Sequence, residues 1–286
     1  MPSTKVSTMA SAPSPSLPGI CPPAHLRQAL PSSAFSASVT LFALFAVLTI
    51  LHLLLSRRGA VRFVVCVCLG CVCEIVGYAG GIVRWRHVKS CAGFAVEVVC
   101  LSIAPVLFTA AIHAAIVDAL AEDSSSESRR LGPRLVDGLF LSLDFVCFTL
   151  VVVGSALIVA STSRRVATVL LLTGLALQMT TLTAAIAVLV DYWVVRRRTA
   201  DPPRFTLRRR FSLLALAMAA LLLVIRCAYR VGDLCAGWMP SVEEETFLVI
   251  FDGVFTLLAA LALCLVHAAR IPLVSFSDDG CDVTHK

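Results

Sequence analysis

The sequence predicts an all-α polytopic membrane protein, seven transmembrane helices in one bundle. Three observations carry that expectation. The chain is 58% hydrophobic with a mean hydropathy of +0.90. Only 15% of its 286 residues are charged, against about 25% in an ordinary soluble domain. Seven apolar runs each reach the roughly 20 residues that cross a hydrocarbon core. A soluble fold has no means of covering that much apolar surface, so the surrounding solvent is lipid.

The runs are Ala34 to Ser56, Val61 to Val83, Phe94 to Leu120, Gly138 to Ser161, Val166 to Val190, Phe211 to Val231 and Thr246 to Ala269. None shows the turn clusters that would break it into the ten-residue alternating strands of a β-barrel. Short connections make residues 34–269 one bundle. Residues 1–33 hold seven of the thirteen prolines and no apolar core of a signal peptide. They read as a disordered extracellular tail. Residues 270–286 read as a cytosolic tail. The polar stretch AEDSSSESRR, 121–130, is a solvated linker with serines open to phosphorylation. The chain contains no asparagine, which excludes N-glycosylation.

Seven spans place the termini on opposite sides. Lysine and arginine are concentrated in the odd-numbered loops and the C-terminus, so the positive-inside rule predicts the N-terminus outside and the C-terminus in the cytosol. The bias rests on the fifth loop, with Arg196, Arg197, Arg198, Arg204, Arg208, Arg209 and Arg210. These arginines border the membrane without interleaved aromatics, so nucleic acid is a poor partner. Anionic inner-leaflet lipids are the expected one, with the fixing of topology as the plainer reading. Tyr192 and Trp193 read as an interfacial anchor at that end.

Twelve cysteines are present. Cys66, Cys68, Cys71 and Cys73 have a metal-like spacing. At 100° per residue, however, they do not converge on one helix face, so they read as small apolar fillers. Cys21, Cys91 and Cys235 fall on the expected outer side, where disulfides persist. A Cys91–Cys235 bridge is the pairing considered there. No metal or other cofactor is expected, and no feature specifies an oligomeric state.

Charges inside the spans carry the functional information. Each costs roughly 2.5–3.5 kcal/mol at a helix centre on insertion scales, so each is expected to face the bundle interior. They are Glu74, Asp144, Arg226 and Asp252, with Glu97, Arg230, Asp233 and Glu245 nearer the ends. Gly70, Glu74, Gly77 and Gly81 share one stripe of the second helix, the kind of face another backbone approaches. Tyr78 follows one turn on. Gly174, Gln178, Thr181 and Ala185 repeat such a stripe on the fifth helix. Arg226, Tyr229, Arg230 and Asp233 share a face of the sixth, and Glu245 and Asp252 one of the seventh. Arg226 is the counter-charge, with Glu74 or Asp252 its expected partner. Two readings stand open: a polar cavity for a charged or amphiphilic ligand, and a structural ion pair that orients helices. Pro105 is expected to kink the third helix and free a backbone carbonyl.

These motifs in this order resemble the RTA1-like family of fungal membrane proteins, also called the lipid-translocating exporter family. The resemblance runs from about His52 to His267. It rests on Glu74, Gly77 and Tyr78; Ala104, Pro105, Ala110 and Ala111; Asp144 with Gly154; Gly174, Leu175 and Gln178; Arg226, Tyr229, Arg230 and Asp233; then Glu245 and Asp252. There are departures. Gly81 stands where relatives carry arginine, with Arg84 one turn later. Val151 replaces a glutamine, His113 a tyrosine, Asp233 a glutamate, and Ala268 and Ala269 the Pro-Gly after the histidine at 267.

The resemblance implies a plasma-membrane protein that exports sphingoid long-chain bases or similar amphiphiles and confers resistance to toxic ones. A seven-helix lipid sensor signalling through cytosolic loops is the alternative. Its candidate substrate-binding residues are Glu74, Tyr78, Asp144, Gln178, Arg226, Tyr229, Arg230, Asp233, Glu245 and Asp252. The chain has no phosphate-binding P-loop, so ATP would not drive it directly. It also lacks H-E-x-x-H, G-x-S-x-G and histidines one turn apart, so enzyme chemistry is not expected. His52, His113 and His267 read as isolated packing residues.

Overall fold

A computed structural model describes residues 32–56, 60–87, 90–121, 133–160, 163–198, 207–236 and 242–270. For 32–34, 133, 196–198, 236, 242–250 and 270 it describes the backbone alone. The tails and the serine-rich third loop lie outside the described residues, apart from the helix ends that reach into them.

Seven helices account for nearly all of the described chain: α1 (Ser32–Leu55), α2 (Val61–Arg86), α3 (Cys91–Ala121), α4 (Pro133–Val159), α5 (Arg164–Arg198), α6 (Leu207–Ala236) and α7 (Val242–Arg270). Each includes a stretch long and apolar enough to cross a membrane. Several helices outrun their apolar runs, α5 by eight residues at its C-terminal end. The apolar run marks the thickness of hydrocarbon, whereas a helix keeps its backbone bonded well into the polar interface. Leu54, Phe145, Phe211 and Leu265 point outward, as lipid-facing side chains must.

Each helix packs on its chain neighbours, and α7 closes the ring on α1. α3 also reaches α5, α6 and α7, which makes it the central helix. Glycines set the α2–α3 contact. A methyl group on Gly80 would lie 2.8 Å from Gly93 O, and one on Gly93 would lie 3.0 Å from Gly80 O, so the two backbones meet there directly. Of the glycine stripe expected on α2, only Gly77 meets a neighbouring backbone, an added methyl group lying 3.3 Å from Leu101 N, whereas Gly70 faces the Phe108 ring and Gly81 the Glu97 carboxylate. Small residues give such closeness, because helices in lipid gain from van der Waals contact more than from dehydration.

Two expectations need correction. Cys91 is disulfide-bonded while Cys235 carries a free, exposed thiol, so the two are not bridged to one another. A sulfur forms one disulfide, and that of Cys91 is already made. Tyr192 is not a lipid-facing anchor. It is buried among the core side chains, with the Arg209 guanidinium 6.0 Å from its ring centroid. Trp193 packs partly buried against the same core.

Candidate functional site

The buried charges meet where α2, α3, α6 and α7 converge. Arg226 on α6 is 3% exposed and sits at the centre. Its Nη2 donates to Asp252 Oδ2 on α7 at 3.1 Å, and its Nε lies 2.8 Å from Asp252 Oδ1 without pointing its proton at that oxygen. The same Nη2 also donates to Leu101 O on α3 at 3.1 Å. The source of that carbonyl is the proline four residues on. Pro105 has no N–H, so Leu101 O loses its helical donor. The freed carbonyl expected from the sequence exists, and an arginine has taken it.

Glu74 stands at the midpoint of α2, 2% exposed. Among the described residues it makes no ion pair within 4 Å, yet Arg226, Asp252 and Arg230 are its charged neighbours and the Tyr78 hydroxyl its hydrogen-bonding one. Tyr78 reaches across to α7, where a methyl group on Gly253 would come within 2.6 Å of its hydroxyl. Arg230 lies 3.7 Å from Asp233 and 3.9 Å from Asp252. The formal charges of Glu74, Asp252, Asp233, Arg226 and Arg230 leave one negative charge in excess. Tyr229 stands aside from them, stacked on Phe251 at 5.4 Å between centroids. Glu245 lies in the first turns of α7, and its side chain is outside the described residues.

Asp144 and Gln178 do not join this cluster. Asp144 on α4 faces His113 on α3, with Nδ1 2.9 Å from both carboxylate oxygens. The imidazole lies flat on Phe140, centroids 4.1 Å apart and planes 2° apart. Gln178 on α5 donates to Pro105 O at 3.0 Å and to Thr109 Oγ1 at 2.8 Å, while Thr109 donates to Pro105 O at 2.9 Å. At the other end of α3, Glu97 pairs with Arg84 on α2 at 2.7 Å. The side chain of Glu97 occupies the space above Gly81, where a methyl group would lie 3.1 Å from its Oε1. Gly81 is thus a seat for Glu97, and Arg84 supplies the positive charge one turn later.

Together these contacts form a polar seam on α3 that the sequence reading missed. Glu97, Leu101 O, Pro105 O, Thr109 and His113 follow at intervals of four residues. Four residues turn a helix by about 400°, so the seam advances by ~40° per step. It meets α2, then α6, then α5, then α4 in turn. Three of its five members are carbonyls or a hydroxyl, which no search for charged residues would find. Spacing from Pro105 was the available signal.

The histidines are isolated in sequence but not in space. His113 is paired with Asp144, and His52 and His267 stack with centroids 6.0 Å apart, Phe63 edge-on to the latter. His52 Nε2 lies 3.3 Å from Ala260 O. No cluster of three or more metal-ligating side chains occurs among the described residues. The four cysteines of α2 are free, with Cys71 turned into the core and Cys66, Cys68 and Cys73 partly exposed.

A seven-helix membrane bundle with a charge cluster buried at mid-span is a multi-pass integral membrane protein with a polar site in its interior. The family model for RTA1 like protein matches residues 67–273, and the chain belongs to the RTA1-like family. Among curated proteins it is 26% identical to Protein RTM1 of Saccharomyces cerevisiae over 194 residues, covering 67% of this chain and 63% of that one. It is 22% identical over 275 residues to the sphingoid long-chain base transporter RSB1 of Saccharomyces cerevisiae strain Lalvin EC1118, covering 80% of this chain and 70% of that one. The chain thus spans less than two thirds of RTM1. No solved structure matches.

Proposed function

We propose that this protein moves sphingoid long-chain bases or similar cationic amphiphiles across the plasma membrane, with the amine drawn to the cluster around Glu74. The observation that supports it is the charge balance at that cluster. Asp252 is committed to Arg226, whereas Glu74 is buried beside them with no ion pair among the described residues. One amine would neutralise the surplus, and Tyr78 would orient the carboxylate toward it. The relative RSB1 is named a sphingoid long-chain base transporter. With the N-terminus outside, the cluster would extend from the middle of the bundle toward its outer end. The arginines of the fifth loop would then contact anionic lipids of the inner leaflet.

Lipid sensing is the second reading. It is favoured by Arg209, whose Nη2 donates to Ala119 O at 3.3 Å, joining the arginine-rich segment to the far end of the helix that holds Leu101 and Pro105. Purified protein in liposomes separates the two. Transport requires labelled sphingosine to cross faster than in protein-free vesicles, and Glu74→Gln to slow it by about tenfold or more, the loss of one interaction of about 1.4 kcal/mol. Protein that binds sphingosine and moves none would overturn transport in favour of sensing.

A further inference from the structure

The seam on α3 ends in a second polar site, twelve residues and so about 18 Å along the axis from Leu101. His113 is 1% exposed and Asp144 9%. A carboxylate only accepts hydrogen bonds, so the nitrogen 2.9 Å from both of its oxygens, Nδ1, carries the proton. Nε2 is then the lone-pair nitrogen, and it is buried with no hydrogen-bond partner among the described residues. Imidazole is the side chain that gains and loses a proton near neutral pH. With a neutral ring the pair carries one negative charge inside the membrane; a proton on Nε2 makes it neutral. The parallel Phe140 ring also presents its π face to the imidazolium.

We infer that His113 and Asp144 form a proton-binding site that couples lipid movement to proton movement, joined to the Arg226 cluster by the polar seam of α3. The inference rests on the transport reading above and supplies its missing energy source, since the chain has no P-loop. Counted in formal charges, each site holds one more carboxylate than cation, one suited to an amine and the other to a proton. Gln178 and Thr109 bridge the interval with fixed hydrogen bonds, so a shift of α3 that repositions Leu101 also moves His113. Other ionisable groups flank the pair. From α2 come the thiol of Cys66 and, farther out, Arg62 bonded to Asp137 of α4. α4 adds the thiol of Cys147, and α3 itself adds Asp118, near Arg62. α5 has no charged residue between Arg165 and Asp191, and α6 none between Arg210 and Arg226.

The test uses the full chain in liposomes enclosing a pH-sensitive dye, with labelled sphingosine and an imposed proton gradient, protein-free vesicles subtracted. His113→Asn keeps a donor for Asp144 but does not titrate, and Asp144→Asn removes the negative charge. The expected result is that a proton gradient accelerates lipid movement severalfold in the wild type, with proton counterflow. Both variants, shown by size-exclusion chromatography and thermal unfolding to be folded, should lose the acceleration by the gradient and the proton counterflow. Wild-type movement indifferent to the gradient would overturn the coupling and leave transport standing. An unchanged response in both variants would overturn the assignment to this pair. If no lipid moves under any gradient, the transport reading falls and the coupling with it.

Discussion

Pro105 has no amide proton, and Arg226 donates at 3.1 Å to Leu101 O, the carbonyl that this proton would have bonded. Proline and arginine are 121 residues apart, yet each accounts for the other. A buried carbonyl without a donor costs about 1–3 kcal/mol, and a guanidinium in lipid needs every acceptor it can find. The arrangement fixes α6 against α3 at the depth of Glu74 and Asp252.

Pro105→Ala therefore separates helix stability from site geometry. Alanine restores the N–H, and Leu101 O regains a helical donor that competes with Arg226. A proline inside a helix costs about 3 kcal/mol relative to alanine, so the melting temperature in detergent should hold or rise. Sphingosine movement should fall. A variant with wild-type movement would show that the Arg226–Leu101 contact is incidental.

The sequence made much of this legible and left identifiable parts hidden. The seven spans and the inward turn of Glu74, Asp144, Arg226 and Asp252 follow from the energetics of charge in lipid, which needs no tertiary information. Which acid pairs with Arg226 does not follow, because Glu74 and Asp252 are equally apt by type. Only the packing of α6 on α7 selects Asp252. The pairing of Asp144 with His113 was hidden for the same reason. Register between α3 and α4 decides it, and a histidine read alone gives no sign of a carboxylate on another helix. The seat that Gly81 provides for Glu97 was hidden because a glycine reports room, not what fills it.

Breaking the central pair from one side should unfold the bundle. Arg226→Met leaves Asp252 buried with only the more distant Arg230, 3.9 Å away, and Asp252→Asn removes the carboxylate that Arg226 pairs with. Removing one partner of a buried pair costs about 3–5 kcal/mol. Both single variants should show reduced expression and a lower melting temperature. Arg226→Met combined with Asp252→Leu should recover most of that stability but not lipid movement, since the site has lost its charge pattern. A double variant as unstable as the singles would show that the pair holds the fold through contacts beyond its mutual attraction.

Glycine positions should sort by what surrounds them. Gly253→Ala drives a methyl group into the Tyr78 hydroxyl, 2.6 Å away, at the contact between α2 and α7. Overpacking of this kind costs about 1–3 kcal/mol, and it should also displace Tyr78 from Glu74. Gly138 on α4 and Gly232 on α6 have nothing within 4 Å of an added methyl group. Alanine there should be neutral or stabilising by up to ~1 kcal/mol through helix propensity. Thermal unfolding of the three variants in one detergent checks the order.

Cys235 offers a direct test of orientation. With the N-terminus outside, as the charge bias predicts, the α2–α3, α4–α5 and α6–α7 connections would be outside as well. Cys235 lies in the last turn of α6, exposed and free, at the end of the bundle shared with Arg84 and Glu97. A membrane-impermeant maleimide added to intact cells should label the wild type, and Cys235→Ser should remove the increment due to this site. The remaining free thiols of the described helices are partly or fully buried, so they should contribute little. Labelling of Cys235 only after permeabilisation would invert the topology. The Glu74 cluster would then lie nearer the cytosolic face and the His113–Asp144 pair nearer the outer one. A proton taken up at that pair would come from outside the cell, reversing the direction in which a gradient could drive the lipid.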